Sequence, residues 1–181
     1  MEPTSPDPRT HSHLPRGPVA RFLADDHRRL DALLQRAVAE PGPVGRAAYA
    51  EFRAGLLKHI GMEEKILLPG AQRARGGEPL PIAAKLRLDH GALAALLVPS
   101  PTPAIIAAIR AVLTAHNAVE EESGGVYEVC EQLAGAAADE LLTRLRAAPE
   151  VPVHPHVDGA RILDAARRAL MRAGFDLEIA G

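Results

Sequence analysis

Tryptophan is absent from this 181-residue chain, and aromatic residues make up only 3% of it. Clusters of β-branched residues with period-two alternation hardly occur, which argues against a sheet-based fold. There is one cysteine, Cys130, so no internal disulfide can form, and a reducing, cytoplasmic location is expected. No uninterrupted apolar run approaches the roughly 20 residues that a membrane span needs. The richest stretch, GALAALLVPSPTPAIIAAI, is broken by prolines. The formal net charge is −2 and no lysine or arginine cluster stands out, so neither a nucleic acid nor a membrane is an expected partner. A nucleophile elbow, a glycine-rich phosphate loop and a CxxC pair are all missing.

What the chain does have is alanine, leucine and arginine, which favour helix. Apolar residues at spacings of three and four predict four amphipathic helices. The first covers 19–40, with Leu23, His27, Leu30, Leu34 and Val38 on one face. The second follows the PGP turn and runs to 74, with Phe52, Leu56, His59, Glu63 and Leu67 aligned. The third covers 82–98, with Leu86, His90, Leu93 and Leu97. The fourth starts at Pro103, a residue suited to a first helical turn, and aligns Ile105, Ile109, Val112, His116 and Glu120. Ser-Gly-Gly at 123–125 should break it, after which helical patterning resumes to 148. PEVPVHPHVDG reads as a linker. A final helix follows, with Ile162, Ala166, Leu170 and Phe175 on its inner side, to dock on the bundle or on a partner.

Short connections favour antiparallel neighbours, so the expected fold is all-α: an up-down-up-down four-helix bundle with a C-terminal helical extension. The expected organisation is a flexible proline-rich arm over 1–18, the bundle over 19–148, and a linker with the last helix over 149–181. Oligomeric state is open.

Four of the eight histidines, His11, His13, His154 and His156, fall in segments read as flexible. The other four come one per helix, each on its apolar stripe: His27, His59, His90 and His116. Two carry a glutamate one turn on, Glu63 and Glu120, and HIGMEE matches HNAVEE as H-x-x-x-E-E. The second and fourth helices are diagonal in such a bundle, so a pseudo-twofold along its axis would bring both pairs to one central point. Buried carboxylates and imidazoles without partners are costly, and a metal removes that cost. Four histidines and two glutamates exceed the needs of one tetrahedral zinc. They suit two iron or manganese ions, each taking two imidazoles, with both glutamates shared. Solvent, oxide or a small diatomic ligand would complete the shells. Glu121 is the alternative to Glu120, while Glu64 and Glu122 are expected on the outer face. Asp26 and Asp89 precede two of the histidines and are expected to face solvent or to orient a neighbouring ring. Tyr127, more than Tyr49, is a candidate hydrogen-bond donor near the centre. Cys130 reads as a small packed residue.

The stretches DDHRRLDALL, HIGMEEKILLP, LRLDHGALAALL and HNAVEEESGGVY, taken in order over residues 20–135, resemble the hemerythrin family in its H-HxxxE-H-HxxxE form, the HHE cation-binding domain. The resemblance implies a bundle around a non-haem di-iron site, oxo- or hydroxo-bridged, with manganese or zinc as alternative metals. The matched ligand positions are His27, His59, Glu63, His90, His116 and Glu120. It also implies binding of dioxygen, nitric oxide or peroxide, in a sensing or binding role. The alternative reading is iron handling or repair, or an enzyme that reduces oxidants or nitric oxide. Oxygen carriers of the family add a fifth histidine one turn from the third, where this chain has Leu86 and Ala94. They also have an aspartate five residues after the last histidine, for which the candidates in this chain are Glu120 and Glu121.

Overall fold

The computed structural model describes residues 17–39 and 43–179. The expected arm over 1–18, with His11 and His13, falls almost wholly outside them. All regular elements among the described residues are helical. Helix α1 (Pro18–Ala39) opens on a proline, whose missing N–H costs nothing at that position. Its first free amides are capped from across the fold: Glu131 accepts from the N–H of Val19 at 3.1 Å and of Ala20 at 3.3 Å. Helix α2 (Pro43–Met62) runs antiparallel to α1, since Arg36 meets Glu51 near the turn and Asp26 meets His59 farther along. The two pack closely at Gly55, where a β-carbon would lie 2.7 Å from Leu30 Cδ2. The inward stripe of α1 ends at Leu34. Val38, expected on it, is 55% exposed, because the last turn lines an open cavity at that end of the bundle.

The second helix is not uniform. Residues Glu63–Leu67 form a π-helical turn, in which the Leu68 N–H reaches back five residues to the Glu63 carbonyl. Pro69 supplies a cause. Its nitrogen cannot donate to the Lys65 carbonyl, and its ring would crowd that carbonyl in a regular helix. Widening the turn by one residue relieves both problems. It also leaves Met62, Glu63, Leu67 and Leu68 all buried, which a regular 3.6-residue period places less readily. Helix α3 (Leu68–Ala74) continues the same rod.

Helix α4 (Ala83–Leu96) and helix α5 (Pro103–Glu121) complete the bundle. Thr102 caps α5 by accepting from the Ile105 N–H at 3.2 Å. The expected glycine break follows. Gly124 has φ +75°, and a β-carbon on Gly125 would lie 2.7 to 2.8 Å from the carbonyl oxygens of Val119, Glu120 and Glu122. The chain then turns into helix α6 (Val126–Ala134) and, after a tight turn at Gly135–Ala137, helix α7 (Ala138–Arg146).

The core comes in two apolar clusters with a polar layer between them. One contains Leu30, Leu34, Phe52, Leu56, Leu93, Leu96, Ile109 and Val112. The other contains Val19, Leu23, Met62, Leu67, Leu86, Tyr127, Cys130 and Leu145. Helix α1 passes from the second cluster to the first, α2 from the first to the second, α4 back again and α5 forward again. That alternation is the up-down-up-down course. On each helix the crossing point carries the histidine.

Helix α8 (Ala160–Arg172) settles the choice left open by the sequence. Ala166, Ala169, Leu170 and Ala173 join the first cluster, so the helix docks on its own bundle, against α4. The linker before it is fastened. Arg53 donates to the His154 carbonyl at 3.2 Å, the Val157 N–H to Val98 at 3.0 Å, and Ser100 to Asp158 at 2.8 Å through both its amide and its hydroxyl. His154 and His156 therefore belong to a held strap. No helix among the described residues is long and apolar enough to cross a membrane.

Leu170 is 1% exposed and its neighbour Met171 is 71% exposed. Leu170→Ala should lower the unfolding free energy in urea by about 2–5 kcal/mol, and Met171→Ala should stay within about 0.5 kcal/mol of the parent. Equal small effects would mean that α8 is not part of the cooperative core.

Candidate metal centre

The polar layer is built from all four bundle helices. Helix α1 supplies His27, α2 His59, α4 His90 and α5 His116, with Glu63 from the start of the π turn and Glu120 from α5. None of the six is more than 6% exposed. Each glutamate lies between two imidazoles. Glu63 places Oε1 3.2 Å from His59 Nε2 and Oε2 3.0 Å from His90 Nε2. Glu120 places Oε1 3.2 Å from His116 Nε2 and Oε2 3.5 Å from His27 Nε2. Exchanging α1 with α4 and α2 with α5 maps one set onto the other, as the repeated H-x-x-x-E-E pattern leads one to expect. The six side chains converge on one buried centre, and Glu120, rather than Glu121, is the inner member of its pair.

Every Nε2 turns inward because every Nδ1 is engaged outside. His27 Nδ1 is 2.6 Å from Glu121, His59 Nδ1 2.9 Å from Asp26, His90 Nδ1 2.7 Å from Glu64, and His116 Nδ1 3.3 Å from Asp89. A carboxylate at Nδ1 accepts its proton, orients the ring and raises the basicity of Nε2. The four supporting acids also obey the twofold. Each is adjacent in sequence to one of the six inner residues but serves a ring on a different helix. Asp26 and Asp89 therefore orient rings across a helix interface, not those beside them in the chain. Glu64 corrects an expectation. It was placed on the outer face, yet it bridges His90 and Arg87, whose Nε is 3.2 Å away. The wide turn that begins at Glu63 lets consecutive glutamates both face α4. The available signal was the recurrence of DH, EE, DH and EE along the chain, an acid beside every inner position save His59 and His116.

Tyr127 breaks the symmetry. The glycine break after α5 brings it fully into the core at the start of α6. Its hydroxyl is 2.5 Å from Glu63 Oε1, 3.0 Å from Glu120 Oε2, 3.0 Å from His27 Nε2 and 3.2 Å from His59 Nε2. The opposite half, His90 and His116 with Nε2 atoms 3.1 Å apart, has no such group among the described residues. Burial, with Glu120 and Glu63 close by, pushes the phenol well above its usual pKa, so it stays a donor.

The electrostatics fit a cage for positive charge. Burial disfavours protonation of His59, but Glu63 and Asp26 outweigh it and raise its pKa to about 10. His116 is likewise raised to about 10, with Asp89 and Glu120 overcoming burial. Burial works against ionising Glu63, yet His59 and His90 hold it well below the usual carboxylate range. Glu63 Oε2 remains a buried oxygen without a hydrogen-bond donor, since its 3.0 Å approach to His90 lacks bonding geometry. Two groups of ligand atoms could hold metal ions: Glu63, His90, His116 and Glu120 in one, and His27, His59 and Glu63 in the other. Within each group all ligand atoms lie within 4.8 Å of one another. Cys130 is buried and its thiol is pushed up to about 12 by burial and then by Glu63 and Glu120, which suits a packed residue and not a redox thiol. Tyr49 lies away from this layer, near His156.

The chain matches no family model, no curated protein and no solved structure.

The raised imidazoles and the depressed carboxylate give a signed pH dependence for metal-free protein. His59 and His116 contribute in full below their unfolded value of 6.5, and that contribution is lost as pH rises toward about 10. Glu63 contributes in full above its unfolded value of 4.5 and loses it as pH falls through its lower folded value. The urea midpoint should therefore decline between pH 6.5 and 10, and His59→Gln should flatten the decline. A flat parent profile over that window would show the imidazoles to be neutral.

Proposed function

We propose that this chain is a hemerythrin-like, non-haem di-iron protein that binds dioxygen, nitric oxide or a related small oxidant, in a sensing or binding role. One observation carries the reading. Two buried carboxylates each span two imidazoles, and all four imidazoles are backed at Nδ1 by a second carboxylate. A structural polar core would need only enough partners to satisfy its own groups. Here the inward nitrogens and oxygens face one another, and Glu63 Oε2, 3.0 Å from His90 Nε2, has no well-formed hydrogen bond.

The donor set fits two cations. His27 and His59 with Glu63 Oε1 and Glu120 Oε2 would hold one, and His90 and His116 with Glu63 Oε2 and Glu120 Oε1 the other. Nitrogen and carboxylate donors suit iron or manganese, and four protein donors leave positions open for a small ligand. Iron in such a cage supplies a redox-active Lewis acid.

The chain's own residues do the rest. Asp26, Glu64, Asp89 and Glu121 fix the rings, and their carboxylates also offset the charge that would be placed among them. The two apolar clusters above and below the layer keep bulk water away. Tyr127 donates to Glu63 on one side only, so the two halves would differ in hydrogen bonding and in room for a ligand. The single cysteine, buried and unpaired, favours a reducing compartment, and we assign the cytoplasm on that ground.

Anaerobically purified protein should carry two irons per chain, and Glu63→Ala should lose metal and thermal stability together, because a ligand bound only by the folded state stabilises it. Unchanged iron in Glu63→Ala would reject the assignment. Glu121→Gln should weaken metal binding by about 10–100-fold without abolishing it. Tyr127→Phe should keep both irons yet shift the absorption spectrum. Reversible ligation of nitric oxide or dioxygen without loss of reductant supports a sensor or carrier, whereas sustained consumption of reductant makes the protein an enzyme.

A further inference from the structure

A second site lies at the other end of the bundle. A half-open cavity of about 950 Å³ forms where the end of α1, the start of α2, the loop before α5 and the strap around His156 meet. Val38 and Ile106 give it apolar walls, and Tyr49, Arg46, Arg53 and Arg110 supply its polar groups. Along α2, Tyr49 precedes His59 by ten residues, about 15 Å at helical rise, so this cavity is separate from the metal centre.

Two of its polar groups are built in and unsatisfied. Tyr49 is 4% exposed and its hydroxyl has no hydrogen-bond partner. Its ring lies 5.9 Å from that of Phe52 and stacks on His156 at 6.0 Å. Arg53 is 9% exposed. Its Nη2 is tied to the His154 carbonyl, while its buried Nε has no partner. Buried donors are nearly always paired in native proteins, and two unpaired donors just beneath a wall that their own side chains form point to a ligand that settles into that wall and accepts from them. Charge adds to this. Among the described residues no aspartate or glutamate lines the cavity, and Arg46 and Arg110 enter no ion pair. Asp158, the nearby acid, is spent on Ser100. The cavity is therefore cationic in a chain of net charge −2. Low-dielectric walls focus such a field on an anion.

We propose that this cavity binds an amphipathic monocarboxylate, its head accepting from Tyr49 Oη and Arg53 Nε and its hydrocarbon tail lying on the apolar wall. The planar guanidinium suits a carboxylate head, and the predominance of apolar lining suits a chain rather than a small inorganic anion. Burial raises Tyr49 to about 12 despite Arg53 beside it, so the phenol remains a donor at neutral pH.

Calorimetric titration of the full chain with octanoate tests this, with octanamide as the uncharged isostere and acetate as the tailless head. Octanoate should bind once per chain, and both comparators at least about tenfold more weakly. Tyr49→Phe removes a hydroxyl that has no partner in the fold, so its thermal midpoint without octanoate should match the parent, while its octanoate affinity should fall about tenfold. Arg110→Gln, on the exposed face of α5, should also weaken octanoate. The proposal is overturned by an absence of saturable octanoate binding, by octanamide binding as well as octanoate, or by an affinity that neither substitution changes.

Discussion

Charge placed in the middle of a small helical bundle must be compensated on the spot, and the rest of this fold is arranged around that requirement. Six ionisable side chains occupy the layer between two apolar clusters, where water does not help them. Unpaired, such groups would each cost several kcal/mol. The compensation is a closed pattern in which each inner glutamate meets two imidazoles and each imidazole meets an acid on both sides. Two rings hold a raised pKa of about 10, and the inner Glu63 is held low, so the layer is organised for positive charge. Protons occupy that place in the metal-free protein, and the inward Nε2 and carboxylate atoms are close enough together that they could hold metal ions there instead.

The local irregularities of the chain serve this layer. The π turn at Glu63–Leu67, caused by Pro69, turns two consecutive glutamates toward α4, one into the centre and one onto the back of His90. The double glycine after α5 ends that helix at Glu121 and folds α6 back so that Tyr127 reaches the same centre. A regular bundle of uninterrupted helices would keep the twofold but lose the tyrosine. The symmetry thus comes from the repeated H-x-x-x-E-E pattern, and the asymmetry from the break that follows its second copy.

The two ends of the bundle differ in a related way. The end that holds Leu23, Met62, Tyr127 and Leu145 is closed by α6 and α7. At the other end α8 covers only part of the core, and the strap from 149 to 158 is fastened over α2 and the loop before α5. What remains uncovered is the cavity with Tyr49 and Arg53, whose buried donors are the counterpart of the unsatisfied carboxylate oxygen in the polar layer. In both places a buried polar atom is left without a hydrogen-bond partner inside the fold.

Much of this was legible from residues alone. Spacings of three and four fixed the helices and put His27, His59, His90, His116, Glu63 and Glu120 on inward faces, because a helix converts sequence period directly into direction. The break at 123–125 followed from glycine's backbone freedom in the same local way. Val38 and Glu64 were misplaced for the same reason in reverse: whether an inward stripe finds a partner, and whether a proline widens a turn, depend on what lies opposite. The pairing of Asp26 with His59, Asp89 with His116, Glu64 with His90 and Glu121 with His27 could not be read from the chain, since each joins residues on different helices whose rotation and offset only packing sets. The same holds for Tyr127 and for α8, whose amphipathic face says that it must be covered but not by what. Sequence determined which side chains point inward, because that is a property of one helix; the tertiary structure decided which of them meet, because that is a property of several.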